Sequence, residues 1–140
     1  MKKIALLSLA MILMVSSAKS QERPLTEPQQ LGAIAGMAWA CGANQTLKDY
    51  ERIISQYFHN TSKTDSIEKD KKEQYVRQKI LEYQNKTSFP SECNRILNMF
   101  NKQPILGFQL YEDGTLITTD KKMLLPRGVK QRNKNARRIY

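Results

Sequence analysis

Two cysteines, a single histidine and a cluster of cations are the residues of this 140-residue chain that could do chemistry. Cys41 and Cys93 stand 52 positions apart. Redox-active pairs are usually close in sequence, as in Cys-x-x-Cys. A structural zinc site takes four Cys or His ligands, and one histidine beside two cysteines falls short of that. The pair therefore reads as a structural disulfide. Closing a loop of that length would stabilise the fold by about 4 kcal/mol on the chain-entropy estimate. His59 follows an apolar stripe, which places it at a helix C-terminus, where an imidazolium meets the dipole favourably. No serine stands in an evident triad arrangement with it. Glu51, Glu82 and Glu92 would make a glycosidase-like pair only if folding brought two of them across a cleft. Gly32 and Gly36 fall inside a helical pattern and form no phosphate-binding loop. The reading is of no catalytic residue, no cofactor and no metal.

The charge is concentrated at one end. Residues 121–140 contain Lys121, Lys122, Arg127, Lys130, Arg132, Lys134, Arg137 and Arg138 and no acid. Residues 21–120 carry twelve cations and thirteen acids, so the body is near neutral. Such asymmetry marks a basic arm that meets something anionic. These eight residues are the candidate partner-binding site. The expected partner is an envelope protein with an acidic surface; anionic lipid and extracellular nucleic acid are the other chemistries that would suit.

The opening residues set the compartment. Met1-Lys2-Lys3 precedes an apolar run from residue 4 to 15, and Ser16-Ser17-Ala18-Lys19-Ser20 offers small residues for cleavage after Ala18 or Ser20. That is the layout of a secretory signal peptide. The run is shorter than the about 20 residues a spanning helix needs. The protein is thus expected to be periplasmic or secreted, where a disulfide persists.

The elements that must position these residues read as mainly α. Thr26-Glu27-Pro28-Gln29 is a capping-box start, and a first helix is expected over 28–41 with Leu31, Ile34, Met37, Ala38 and Cys41 on its apolar side. Its small residues, including Gly32 and Gly36, imply close approach of another backbone, and Trp39 is expected to be buried beside them. Thr46-x-x-Asp49 is expected to cap a second helix to about residue 58, striped by Leu47, Tyr50, Ile53, Ile54, Tyr57 and Phe58. A third helix is expected over 66–85, its first half a solvated charged face with Glu68 and Lys72 paired at i,i+4. A fourth follows over 91–101, so the disulfide would join two helix ends. Two strands are expected at 105–111 and 115–119 around Glu112-Asp113-Gly114, a strong hairpin signal. Such a hairpin must lie on the helices, gain a strand from near residues 123–125, or pair with another protein.

The expected organisation is a signal peptide over 1–20, a disulfide-stapled bundle of about four helices over 21–103, a β-hairpin over 104–120 and a flexible basic tail over 121–140. Removing that tail is expected to spare folding. Tyr50, Tyr57, Tyr75, Tyr83 and Tyr111 are read as bordering the core with their hydroxyls toward water, with a partner-binding patch as the other reading. Asn44, Asn60 and Asn85 open Asn-x-Ser/Thr triplets, read as loop composition.

Residues 26–101, with their helix count and single long-range disulfide, resemble the small acid-stress chaperones of the bacterial periplasm; the hairpin and basic arm depart from that pattern. The resemblance implies a periplasmic holdase as one alternative, and a small secreted hydrolase or effector is another. The leading expectation is a non-enzymatic accessory protein of the bacterial cell envelope, docking on a larger assembly through its hairpin and basic tail. A secretion or conjugation apparatus is one such setting.

Overall fold

The computed structural model describes residues 23–86 and 90–140. The expected leader and its cleavage sites lie outside the described residues. The chain forms four α-helices and, after them, a small antiparallel sheet: α1 (Glu27–Ala40), α2 (Gln45–Thr61), α3 (Asp65–Lys86), α4 (Cys93–Asn101), β1 (Gln109–Leu110), β2 (Leu116–Ile117) and β3 (Met123–Leu124). One-turn 3-10 helices at Pro90–Glu92 and Pro104–Gly107 lead into α4 and the sheet.

Helix α1 starts as its sequence predicts. The Thr26 hydroxyl accepts from the Gln29 amide, and the Gln29 side chain accepts from the Thr26 amide at 2.9 Å. Its buried face is the small-residue one, Gly32, Ala33, Ala35, Gly36 and Ala38, with Leu31 and Ile34 half-buried at the edge of the core. Gly32 lies against the Tyr75 carbonyl and Gly36 against the Lys79 carbonyl, four residues further along both helices. Helices α1 and α3 therefore run parallel, backbone against backbone. A Cβ at either glycine would fall well inside van der Waals contact of a carbonyl oxygen. Helix α2 runs antiparallel to α3: Glu51 meets Tyr75 and Lys79, whereas Thr61 meets Lys71. Tyr50, Ile53, Ile54 and Phe58 fill the core, together with Phe100 of α4. Cys41, which caps α1, and Cys93, which begins α4, form the expected disulfide with their Cα atoms 5.2 Å apart.

Four expectations for the helices and the start of the hairpin are corrected. The Thr46–Asp49 box does not form, because α2 starts one residue earlier; Asn44 takes the cap position without a side-chain bond, and Asp49 instead accepts from Gln45 at 3.1 Å. Trp39 is 38% exposed, stacked on Tyr83 with ring centroids 3.8 Å apart, because the face it was expected to occupy is filled by the α1–α3 backbone contact. Residues 105–107 are helical, not extended: Pro104 sets a helical φ, and the Leu106 and Phe108 amides bond three residues back. Tyr50 and Tyr75 are buried, their hydroxyls donating to the Leu31 carbonyl at 3.1 Å and to Glu51 at 3.2 Å rather than to water.

The hairpin turns at Glu112-Asp113-Gly114, with Gly114 at φ +85°. The register places Leu110, Leu116 and Leu124 in one row against the helices and Gln109, Ile117 and Met123 in the opposite row. The basic segment is not a flexible arm. It supplies β3 and then returns along the far side of β1, where the Glu112 amide donates to the Arg137 carbonyl at 2.9 Å and the Ile139 amide to the Leu110 carbonyl at 2.7 Å. Tyr140 packs against the core. Two-residue strands are too short to stand alone, so the hairpin needs both neighbours. Deleting residues 121–140 would strip Leu124 and Tyr140 from the core.

The α1–α3 contact is directly testable. Gly36→Ala should destabilise the fold by about 1–3 kcal/mol, the range for overpacking, read as a lowered urea midpoint with unchanged slope. Gly42→Ala provides a comparison governed by backbone conformation alone, since Gly42 sits at φ +84° with open space around it. Reducing the disulfide should cost about 4 kcal/mol on the same titration.

Candidate interaction surface

The eight cations expected to act together divide into two groups. The division begins at Pro126-Arg127-Gly128, where the Val129 amide bonds back to the Pro126 carbonyl at 3.0 Å and Gly128 adopts φ +82°. This turn aims Arg127 into the α2–α3 junction. Its guanidinium donates to the carbonyls of Ser62 and Thr64 at 3.2 and 3.3 Å, to Glu68 at 3.0 Å and to Asp65. Glu68 also takes Lys72 at 2.8 Å and contacts His59 Nδ1 at 3.2 Å. The hydrogen bond from Lys72, joined by those from Arg127 and His59, outweighs burial and pulls the Glu68 carboxyl down to about 2. The expected Glu68–Lys72 pair is present, yet this part of α3 is covered by the C-terminal segment rather than wholly solvated. His59 stands in the last turn of α2, as expected.

Arg132 is the second anchor. Its guanidinium lies 3.9 Å from the Tyr111 ring centre, the geometry of a cation–π contact. Beside it, Asp113 accepts from the Thr115 amide and hydroxyl and from the Asn133 amide at 2.9–3.0 Å. Burial pushes the Asp113 carboxyl up, but these bonds and the Arg132 charge hold it below its ordinary value. Asn60 completes the set, donating to the carbonyls of Gly114 and Leu124 at 2.8 and 2.9 Å. Its triplet is thus part of the scaffold.

The other six cations, Lys121, Lys122, Lys130, Lys134, Arg137 and Arg138, are exposed. Arg137 lies 4.0 Å from Glu112 and Arg138 donates to the terminal carbonyl. Among the described residues, Lys121, Lys122, Lys130 and Lys134 form no ion pair. Lys121 is fixed in the β2–β3 turn at φ 68°. The result is positive charge carried on ordered backbone.

The carboxylates weighed for catalysis are engaged separately: Glu51 by Tyr75 and Lys79, Glu82 by Gln78, and Glu92 by Arg95 at 3.6 Å. Among the described residues, no three His, Cys, Asp or Glu side chains are grouped to hold a metal ion. No helix among them is long and apolar enough to cross a membrane. No family model, curated protein or solved structure matches the chain.

Sequence reasoning missed the anchoring roles of Arg127, Arg132 and Asn60. The Pro-Arg-Gly turn was the one local signal for Arg127, since it forces a reversal; the partners of all three are remote in sequence. The division is measurable. Arg127→Ala should cost about 1–3 kcal/mol, because it leaves charged and carbonyl acceptors unsatisfied, whereas Lys130→Ala should stay within about 0.5 kcal/mol. Glu68, with its folded value lowered, contributes stability that is full above its ordinary value of 4.5 and is lost as pH falls from there toward about 2. Denaturation between neutral pH and pH 2 should therefore show a smaller acid loss in Glu68→Gln than in the parent, from a lower starting stability.

Proposed function

We propose that this chain is an exported, non-enzymatic accessory protein of the bacterial cell envelope, docking on an anionic surface of a larger assembly through its hairpin and basic C-terminal segment. The observation that carries the reading is the division of labour among the cations. Arg127 and Arg132 hold the segment in place, and six exposed cations on the held segment have little role in the fold. Charges that the fold does not consume are free to steer and orient an anionic partner. The Cys41–Cys93 disulfide is compatible with an oxidising periplasmic or extracellular compartment, and the layout of residues 1–20 is that of an exported chain. A secretion or conjugation apparatus remains one setting for such a component.

Mild crosslinking in the native envelope tests this. The parent protein should yield a discrete complex that weakens with salt, as contacts between exposed charges do. Lys130→Glu with Lys134→Glu, which leaves Arg127, Arg132 and β3 untouched, should lose that complex while keeping the parental thermal unfolding curve. An undiminished complex from the doubly reversed protein would sink the docking reading.

A further inference from the structure

The exposed cations of the C-terminal segment are interleaved with exposed apolar side chains. Met123, Val129 and Ile139 are 48%, 45% and 47% exposed. Each adjoins a cation in sequence: Met123 follows Lys121-Lys122, Val129 precedes Lys130, and Ile139 follows Arg137-Arg138. The register explains Met123. Its row, with Ile117 and Gln109, lies opposite the row of leucines that packs on the helices, so the sheet presents Met123 away from the core. Val129 follows the Gly128 turn, which spends its backbone bonds on aiming Arg127 inward. Ile139 stands between Arg138, bridged to Tyr111, and Tyr140, packed on the core. The backbone at all three positions is held by neighbouring residues, and about half of each residue's surface remains open to solvent.

We infer that this segment is a membrane-surface contact, with anionic lipid headgroups as the partner. The inference goes beyond the docking reading above: it gives the segment that docks on the assembly a lipid surface to lie on. An anionic bilayer matches both halves of the pattern. Phosphate-bearing headgroups take the lysines and arginines, and the boundary just beneath them takes scattered apolar side chains at shallow depth. Long Lys and Arg stems let the charges remain at headgroup level while neighbouring apolar groups sit deeper. An acidic protein surface matches the cations; the bilayer matches the apolar side chains as well. Residues 121–140 contain no acid, and the acids that adjoin them, Asp120 and Glu112, are outnumbered by the six exposed cations. The contact is peripheral.

The test uses the purified protein with vesicles of phosphatidylcholine alone or with about one-third phosphatidylglycerol, at low salt, read by co-sedimentation. The mixed vesicles should bind the protein, and the neutral ones should not. A variant carrying Met123→Ser, Val129→Ser and Ile139→Ser keeps every charge and should bind at least about tenfold more weakly. Its thermal unfolding should stay close to the parent's, since about half of each residue's surface is already exposed. If the triple variant fails to fold, Val129→Ser alone, on an exposed turn, should still weaken binding measurably. Equal binding by a folded serine variant and the parent would overturn the inference in favour of charge alone, and absence of parental binding to the mixed vesicles would overturn it outright. If vesicles fail while the envelope crosslink persists on an acidic protein, the lipid assignment falls and docking stands; if both fail, so does docking.

Discussion

Everything downstream in this fold depends on two backbones touching. Gly32 and Gly36 allow α1 to rest directly on the carbonyls of Tyr75 and Lys79, and that contact fixes where α3 lies. Close approach demands missing side chains, so α1 gives up the large apolar residues that would otherwise drive its burial. Two features offset this. The disulfide holds the end of α1 to the start of α4, and Trp39 stacks on Tyr83 just beyond the second glycine. The position of α3 then determines the α2–α3 junction, where Ser62, Thr64, Asp65 and Glu68 converge on Arg127. A contact between two helices early in the chain thus decides where the C-terminal segment can anchor.

The sheet is held by polar anchors more than by its ladder. Three strands of two residues provide few backbone bonds, and each such bond contributes only about 0.5–1.5 kcal/mol net. The inner leucine row adds burial, but Asn60, Arg127 and Asp113 determine which segment lies where. Asn60 ties the hairpin turn and β3 to one side chain of α2. Asp113 ties the same turn to Asn133 on the returning strand. These are directional contacts with half-buried partners, and they fail if the register slips by a residue.

What could be read from the chain follows from the range of each interaction. Helix positions were legible because apolar spacing and the Thr26–Gln29 box act over three or four residues. The hairpin was legible because Glu112-Asp113-Gly114 encodes its own turn. The disulfide was legible because a chain with two cysteines allows one pairing. By contrast, Thr46 and Asp49 matched a cap pattern that lost to a start one residue earlier, a difference too small for local preference to resolve. The polar, basic composition of the tail implies flexibility, but composition describes an average. Arg127 and Tyr140 overturn that average through partners over 60 residues away in one case and across the core in the other. The basic surface was legible as eight cations; its division into two anchors and six exposed charges was not, because it is a property of the fold.

Order in the segment changes what its charge can accomplish. A disordered arm would surrender about 1–2 kcal/mol of backbone entropy for each residue fixed on binding, so most of its electrostatic attraction would go into ordering itself. Here the ordering is completed during folding, by Arg127 at the helix junction, Arg132 on Tyr111 and Tyr140 on the core. Six cations and three apolar side chains are consequently presented on a backbone whose entropy has already been lost, and preorganisation of this kind raises affinity without any added contact. The same anchors limit the segment's reach: a free arm of about twenty residues could extend roughly 60 Å from the body, whereas this one is held beside the sheet. The near-neutral helical body is thus the frame that fixes where the exposed cations stand.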